Sequence, residues 1–185
     1  MNSRVKCPLV VFLILMMVAC LCPSAPSRAE EIPLPESVSA QMDTAPAKVG
    51  HGTYRKLGFR IYDATLWAVQ NKWDAAKPYA LQLSYTRDLS KETLVDTVMD
   101  DITDQGVADE ATRTRWKEVL NASLRDVKEG DALVGLALPG KKTLLFYNGV
   151  NIASIEEQAF SDAFFGIWLG ERADEALRSK LLGGP

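Results

Sequence analysis

The side chains able to carry chemistry are few in this chain of 185 residues. The single histidine, His51, lies in the segment VGHGTYRKLGFRIYDATLWA with a glycine on each side. A serine-histidine-acid triad needs a histidine held rigidly by an acid, and flanking glycines predict a flexible turn instead. A histidine metal centre needs further ligands, and neither a second histidine nor an HExxH pattern exists. We therefore interpret His51 as a turn residue, assign a catalytic role to no residue, and predict no metal and no cofactor.

The first 29 residues have the pattern of a secretory leader. Arg4 and Lys6 precede the apolar run PLVVFLILMMVAC, which is shorter than the roughly 20 residues that cross a bilayer, and a small-x-small pattern follows. Cleavage after Ala29 would leave a single domain over 30–185, periplasmic or secreted, without a membrane span. The segment MVAC offers an alternative, a bacterial lipoprotein signal with a lipid anchor at Cys20.

Composition excludes several classes of function for residues 30–185. All three cysteines of the chain, at positions 7, 20 and 22, precede this region, so it has no disulfide and no thiolate nucleophile. Its 18 basic and 24 acidic residues give a net charge of −6. An acidic balance without a basic cluster in the sequence argues against nucleic acid as a partner.

Polar residues within apolar, alternating segments are the remaining candidates for a site. The segment LGFRIYDATLWAV alternates with the period of a strand: Leu57, Phe59, Ile61, Thr65, Trp67 and Val69 share one face, and Arg60, Tyr62, Ala64 and Leu66 share the other. YALQLSYTR repeats the pattern with Tyr85 and Arg87 on one face. Asn148 belongs to an Asn-Gly turn, the strongest short-range hairpin signal in the chain.

The other elements define a fold class. Ser90 predicts the start of a helix that Gly106 ends, and a second amphipathic helix follows from about Asp109. ALVGLAL, TLLFY and VNIASI predict a three-stranded meander. Ser154 and Glu157 form a capping box before a third helix, and DEALRSKLL predicts a last one. The order predicts an α+β domain with helices layered on one face of an antiparallel sheet.

Four segments together resemble the bacterial chalcone isomerase-like family: GHG, LGFRIYDATLWA, LQLSYTRDLS and AFSDAFFGIWLGERADEALRSKLLG. The resemblance extends from about Gly50 to Gly183. It implies an open-faced sandwich, a large antiparallel sheet carrying a helical layer with a cleft between them. In the plant enzymes of this family the cleft closes a chalcone into a flavanone. In the related fatty-acid-binding proteins it holds an acyl chain whose carboxylate contacts an arginine and a tyrosine.

The resemblance also implies site residues. Arg55 matches the family arginine, although counting back from Phe59 without a gap places Tyr54 there. A difference of one residue moves the side chain to the other face, so Arg55 meets Tyr62 only if a bulge, for example at Gly58, intervenes. Asp63 stands where the plant enzymes have a threonine that polarises the ketone, and an ionised carboxylate cannot donate that hydrogen bond. Phe164 and Trp168 match core positions. The ligand-binding residues predicted are Arg55, Tyr62, Tyr85, Arg87 and Asn148.

Three functions remain open at this point. The first is binding of a fatty acid or similar amphiphilic carboxylate in the cleft. The second is an intramolecular lyase or isomerase acting on a chalcone-like enone, with the arginine stabilising a developing enolate and a tyrosine-bound water supplying the proton. The third is a non-catalytic envelope protein that acts through surface contacts. The partner predicted in the first two is a small amphiphilic or aromatic molecule.

Overall fold

The computed structural model of the protein describes residues 32–184. The predicted leader (1–29) and the alternative lipid anchor at Cys20 lie outside the described residues. Five helices are present in this region: α1 (Glu36–Ser39), α2 (Lys91–Gln105), α3 (Glu110–Ser123), α4 (Gln158–Leu169) and α5 (Glu175–Leu181). The strands are β1 (Ala47–Lys56), β2 (Phe59–Ala68), β3 (Tyr79–Tyr85), β4 (Ala132–Leu138), β5 (Lys142–Tyr147) and β6 (Val150–Ile155).

The six strands form one antiparallel sheet in which their spatial order is their order along the chain. The predicted meander from β4 to β6 is confirmed. Its second turn is made by Asn148 and Gly149, with φ of 47° and 78°, the left-handed backbone that a two-residue hairpin loop requires. The connection from β3 to β4 is the long one and contains α2 and α3.

Helices α2 to α5 cover one face of the sheet, so the predicted α+β architecture is confirmed. Helix α5 packs on β1, and α4 contacts α2, α5 and β5. The short α1 and the residues around it pack on the opposite face, where Val38 and Met42 contact the side chains of Ala80, Val134, Leu136, Leu144 and Phe146. Within residues 32–184, no helix has the length and apolar character to cross a bilayer.

Side-chain caps lie at the starts of α2 and α3, and the cap at Ser90 is the one that the sequence predicts. The Ser90 hydroxyl accepts from the backbone N–H of Thr93, Asp109 accepts from Thr112, and Gly106 ends α2 with a φ of 69°. The predicted capping box at Ser154 is wrong, because Ser154 is still in β6 and α4 begins at Gln158. The carboxylate of Glu157 accepts instead from the indole N–H of Trp116 and from Arg115, so it joins α4 to α3.

The GHG segment is not a turn but part of β1, the edge strand. Its glycines allow a close approach of α5: a Cβ at Gly50 would lie 2.0 Å from the carbonyl oxygen of Lys180, and one at Gly52 would lie 2.8 Å from a methyl of Leu177. His51, between them, is exposed and pairs with Thr65 of β2. These glycines therefore indicate close packing rather than flexibility.

The β1–β2 pair contains a register shift that decides which side chains face the helices. Tyr54 pairs with Tyr62, but the next residue, Arg55, pairs with Arg60, so Ile61 is an extra residue on β2. The bulge brings Arg60 and Asp63, three residues apart, together in an ion pair. It keeps Tyr54 and Tyr62 opposite each other, and it does not bring Arg55 beside Tyr62.

Candidate functional site

A cavity of about 340 Å³ lies between the sheet and the helical layer. This volume is at the lower end of the range of about 300–1,000 Å³ for small-molecule sites. Its wall is mostly apolar, with side chains from the sheet and from helices α2 and α4: Leu81, Leu83, Leu133, Leu94, Val98, Phe164 and Ile167. The cavity therefore has the composition to hold a hydrocarbon or aromatic group.

A row of three tyrosines crosses the sheet at one end of this cavity. Tyr54, Tyr62 and Tyr85 occupy paired positions on β1, β2 and β3, so strand register alone places their side chains on the same face. The ring centroids of Tyr54 and Tyr62 are 5.0 Å apart in a stacked arrangement, and those of Tyr62 and Tyr85 are 5.8 Å apart edge to face. Three phenolic groups thus line one wall.

The hydroxyls of Tyr62 and Tyr85 are available as hydrogen-bond donors. The Tyr62 oxygen accepts from the indole N–H of Trp168 at 2.9 Å, and its proton has no acceptor among residues 32–184. The Tyr85 hydroxyl has no hydrogen-bond partner in the same region, although Tyr85 is only 5% exposed. Burial raises the pKa of both phenols well above the usual value, so both stay protonated and can donate to an oxygen of a ligand.

Charged residues of both signs surround the opening of the cavity. Lys56 of β1 and Arg172, before α5, supply positive charge, while Asp101 and Asp104 of α2 and Asp174 supply negative charge. Arg172 donates through Nη1 to the backbone oxygen of Asp104 at 2.5 Å. Residues 32–184 contain no cluster of three histidine, cysteine or acidic side chains arranged to hold a metal ion.

Asp101 is the half-buried acid of this opening. Its pKa is raised above the ordinary range by burial, and the negative charges of Asp104 and Asp100 act in the same direction against the lowering effect of Lys56. Asp101 in turn contributes, after burial itself, to a raised pKa of Tyr54. A negative ligand at this end of the cavity would meet Lys56 and Asp101 together.

The structure places two of the five predicted ligand-binding residues in the cavity, Tyr62 and Tyr85. Arg55 is not among them: it is exposed and lines a separate shallow depression with Asp174 and Lys180 beside the edge strand β1. The reason is strand alternation, because Tyr54 and Lys56 take the cavity side and Arg55 the other. Of the two alternatives for the family arginine position, the cavity side therefore holds Tyr54.

Arg87 and Asn148 also lie outside the cavity. Arg87 follows the end of β3, and its guanidinium carbon lies 5.5 Å from the centre of the exposed Phe59 ring. Asn148 stabilises its own turn: its side chain accepts from the backbone N–H of Ala132 and donates to the carboxylate of Asp131. Asp63, which the resemblance aligned with a catalytic threonine, accepts from Thr53 and Arg60 away from the cavity.

Sequence reasoning missed several lining residues on α2 and α4. Thr93, Thr97 and Asp101 follow one another at four-residue spacing and so form a polar line along α2 that faces the cavity. Trp168 was interpreted as packing, yet its indole N–H needs an acceptor when buried, and that requirement pointed to a polar partner on the sheet. Lys56 was passed over because it precedes a predicted strand rather than lying within one.

The comparison with protein families identifies the class of this chain. The model of the chalcone isomerase-like family matches residues 28–183, and the protein belongs to that family. Among solved structures, a fatty-acid-binding protein of Arabidopsis thaliana matches with a TM-score of 0.63 at 11% identity, covering 82% of this chain and 91% of that one. At this identity the match shows the shared fold. A comparison with curated protein sequences found no match.

Proposed function

We propose that the protein binds a fatty acid or a similar amphiphile in the cavity between the sheet and the helices. The observation that carries the proposal is an apolar cavity that ends in protonated tyrosine hydroxyls, two of which, on Tyr62 and Tyr85, have no acceptor among residues 32–184. The structural likeness to a plant fatty-acid-binding protein supports it. The predicted leader makes the periplasm or the exterior of the cell the proposed location.

The energetics assign different roles to the two ends of the ligand. Each methylene removed from water contributes about 0.8 kcal/mol, so the tail supplies most of the affinity. A hydrogen bond to a charged group contributes about 1.5–3 kcal/mol, so the tyrosine hydroxyls and Lys56 orient the oxygen-bearing head. Asp101 opposes a negative head, and a carboxylate bound beside it would raise the pKa of Asp101 further.

Binding is better supported by this geometry than cyclisation of a chalcone-like enone. The cyclisation suggested by the resemblance placed an arginine beside Tyr62 and a hydrogen-bond donor at position 63. In the structure Arg55 and Asp63 both lie outside the cavity. The arginine that does line it, Arg172, already donates to the backbone of Asp104.

A cavity-filling substitution tests the proposal. Thr97 is exposed on α2 and lines the cavity, so Thr97→Phe introduces a ring into the opening without disturbing the buried core. Thr114→Phe is the matched control, since Thr114 is exposed on α3 and lies outside the lining. We expect dodecanoate titrated by isothermal calorimetry to bind the unmodified protein and Thr114→Phe alike and to bind Thr97→Phe at least tenfold more weakly.

Native mass spectrometry of the exported protein provides the second measurement. We expect a co-purifying acyl species in the unmodified protein that Thr97→Phe lacks. Equal dodecanoate affinity in the two threonine variants would refute the cavity as the binding site. Recovery of the protein in a cytoplasmic fraction would refute the proposed location.

A further inference from the structure

The turn between β1 and β2 carries a leucine in a conformation that leucine disfavours. Leu57 and Gly58 have φ of 52° and 83°, the left-handed backbone of a two-residue hairpin loop. Asparagine and glycine are the usual residues there, and the turn between β5 and β6 uses them, at Asn148 and Gly149. A leucine at the first position strains the backbone, and the fold gains no packing from it, because Leu57 is 92% exposed.

A second apolar side chain and several cations surround this leucine. Phe59 is 64% exposed, and the guanidinium of Arg87 lies over its ring. Arg55 and Lys56 precede the turn and are exposed. We call this surface, made of Arg55, Lys56, Leu57, Phe59 and Arg87, the basic tip.

The charge of the basic tip is opposite to that of the chain as a whole, whose formal net charge is −3. Arg60, next to the tip, is neutralised by Asp63. Arg55, Lys56 and Arg87 form no salt bridge among residues 32–184. Lys56 lowers the pKa of Asp101, and Arg55 shares a depression with Asp174, yet all three cations are exposed around two exposed apolar side chains. The cluster is not recognisable in the sequence, because Arg87 lies beside Phe59 only in the folded chain.

We propose that the basic tip docks the protein onto an anionic lipid bilayer. Leu57 and Phe59 would enter the boundary between headgroups and acyl chains while the cations contact anionic headgroups. A bilayer suits this surface better than a protein partner does. A stable protein interface buries about 800 Å² per partner with matching shapes, whereas a protruding turn needs no shaped partner to insert into lipid.

The basic tip is continuous with the opening of the cavity. Lys56 belongs to both, and Ile61, the extra residue of the β2 bulge, lines the cavity two residues after Phe59. Docking through the tip therefore brings the opening against the bilayer, where an amphiphilic ligand could pass between lipid and protein. The docking itself does not depend on the identity of that ligand.

Sedimentation with vesicles tests the proposal. The exported protein is mixed at low ionic strength with vesicles of phosphatidylcholine alone or of equal parts phosphatidylcholine and phosphatidylglycerol. Leu57→Asn removes the more exposed of the two apolar side chains of the basic tip but installs the residue that the turn prefers, so the fold is retained. Val150→Asn is the matched control, since Val150 is 65% exposed on β6, the opposite edge of the sheet.

We expect binding to the anionic vesicles that weakens as salt is added. Leu57→Asn is expected to weaken it by roughly tenfold or more, and Arg55→Gln by about fivefold, while Val150→Asn leaves it unchanged. An acyl chain at Cys20 would add the same affinity to every variant, so the ratios between variants carry the result. Leu57→Asn should keep its dodecanoate affinity in solution, which separates this proposal from the proposed function.

Three outcomes would overturn the proposal: no binding to anionic vesicles, equal binding to both kinds of vesicle, or equal binding of Leu57→Asn and Val150→Asn.

Discussion

Tyr62→Phe and Tyr85→Phe each remove one phenolic hydroxyl, but we expect the two substitutions to change the free energy of unfolding by different amounts. In Tyr62→Phe, the indole N–H of Trp168 loses its acceptor at 2.9 Å while the side chain stays 6% exposed. A buried donor left without a partner costs about 1–3 kcal/mol. Tyr85→Phe removes a hydroxyl that has no partner among residues 32–184, so the free energy of unfolding should be unchanged or slightly higher.

Urea unfolding at neutral pH, followed by far-UV circular dichroism, measures this difference. With a slope of about 1–3 kcal/mol per molar urea, the midpoint of Tyr62→Phe should fall by on the order of 1 M, and that of Tyr85→Phe should not fall. Dodecanoate affinity gives the complementary readout, since both variants lose a donor to the ligand head and both should bind more weakly. Equal unfolding free energies for the two variants would refute the hydrogen-bond assignment, and unchanged affinity in both would remove the tyrosines from the site.

Three further predictions follow from other parts of the structure. Gly50→Ala should lower the free energy of unfolding by at least about 3 kcal/mol, because the new Cβ would meet backbone atoms of α5. Gly52→Ala should lower it by less, because its Cβ would meet the end of the Leu177 side chain; thermal unfolding of both variants measures the difference. Asp101→Asn should raise the free energy of unfolding at neutral pH. The pKa of Asp101 is higher in the folded than in the unfolded protein, so the ionised carboxylate destabilises the fold above that pKa and the effect disappears in acid. Urea midpoints of the variant and the unmodified protein should therefore converge as the pH falls. Asp131 has a pKa lowered by hydrogen bonds, first from Tyr147 and then from Asn148, so its stabilisation is lost as the pH falls through that lowered pKa, and urea midpoints of Asp131→Asn should depend less on pH below about 4.

The spacing of apolar residues predicted the architecture because strands and helices repeat such residues with different periods along the chain. The strand and helix periods, the cap at Ser90, the helix start near Asp109 and the Asn148 turn are local signals, and each corresponds to an element of the structure. The order of these elements predicted the layering of helices on one face of the sheet, and the family resemblance added the cleft between the two layers. These parts of the fold depend on residues near one another in the chain.

The errors arose where a contact distant in sequence decides the outcome. The glycines of GHG are typical of a turn until α5 is known to lie against them. Glu157 completes a capping box by spacing, but Trp116 and Arg115 compete for its carboxylate. Tyr54 takes the cavity side of β1 because it alternates in step with Gly50 and Gly52, which face α5, and a shift of one position would exchange it for Arg55.

The order of the strands also has a consequence for how the chain folds. Four of the five strand pairs join segments separated by short connections, whereas β3 and β4 are separated by residues 86–131. Closing a flexible loop of that length costs roughly 3 kcal/mol more than closing a two-residue turn. We therefore expect β1–β3 and β4–β6 to form first as two separate meanders. Their joining should be the slow step, and formation of α2 and α3 should accelerate it by shortening the span that must be closed.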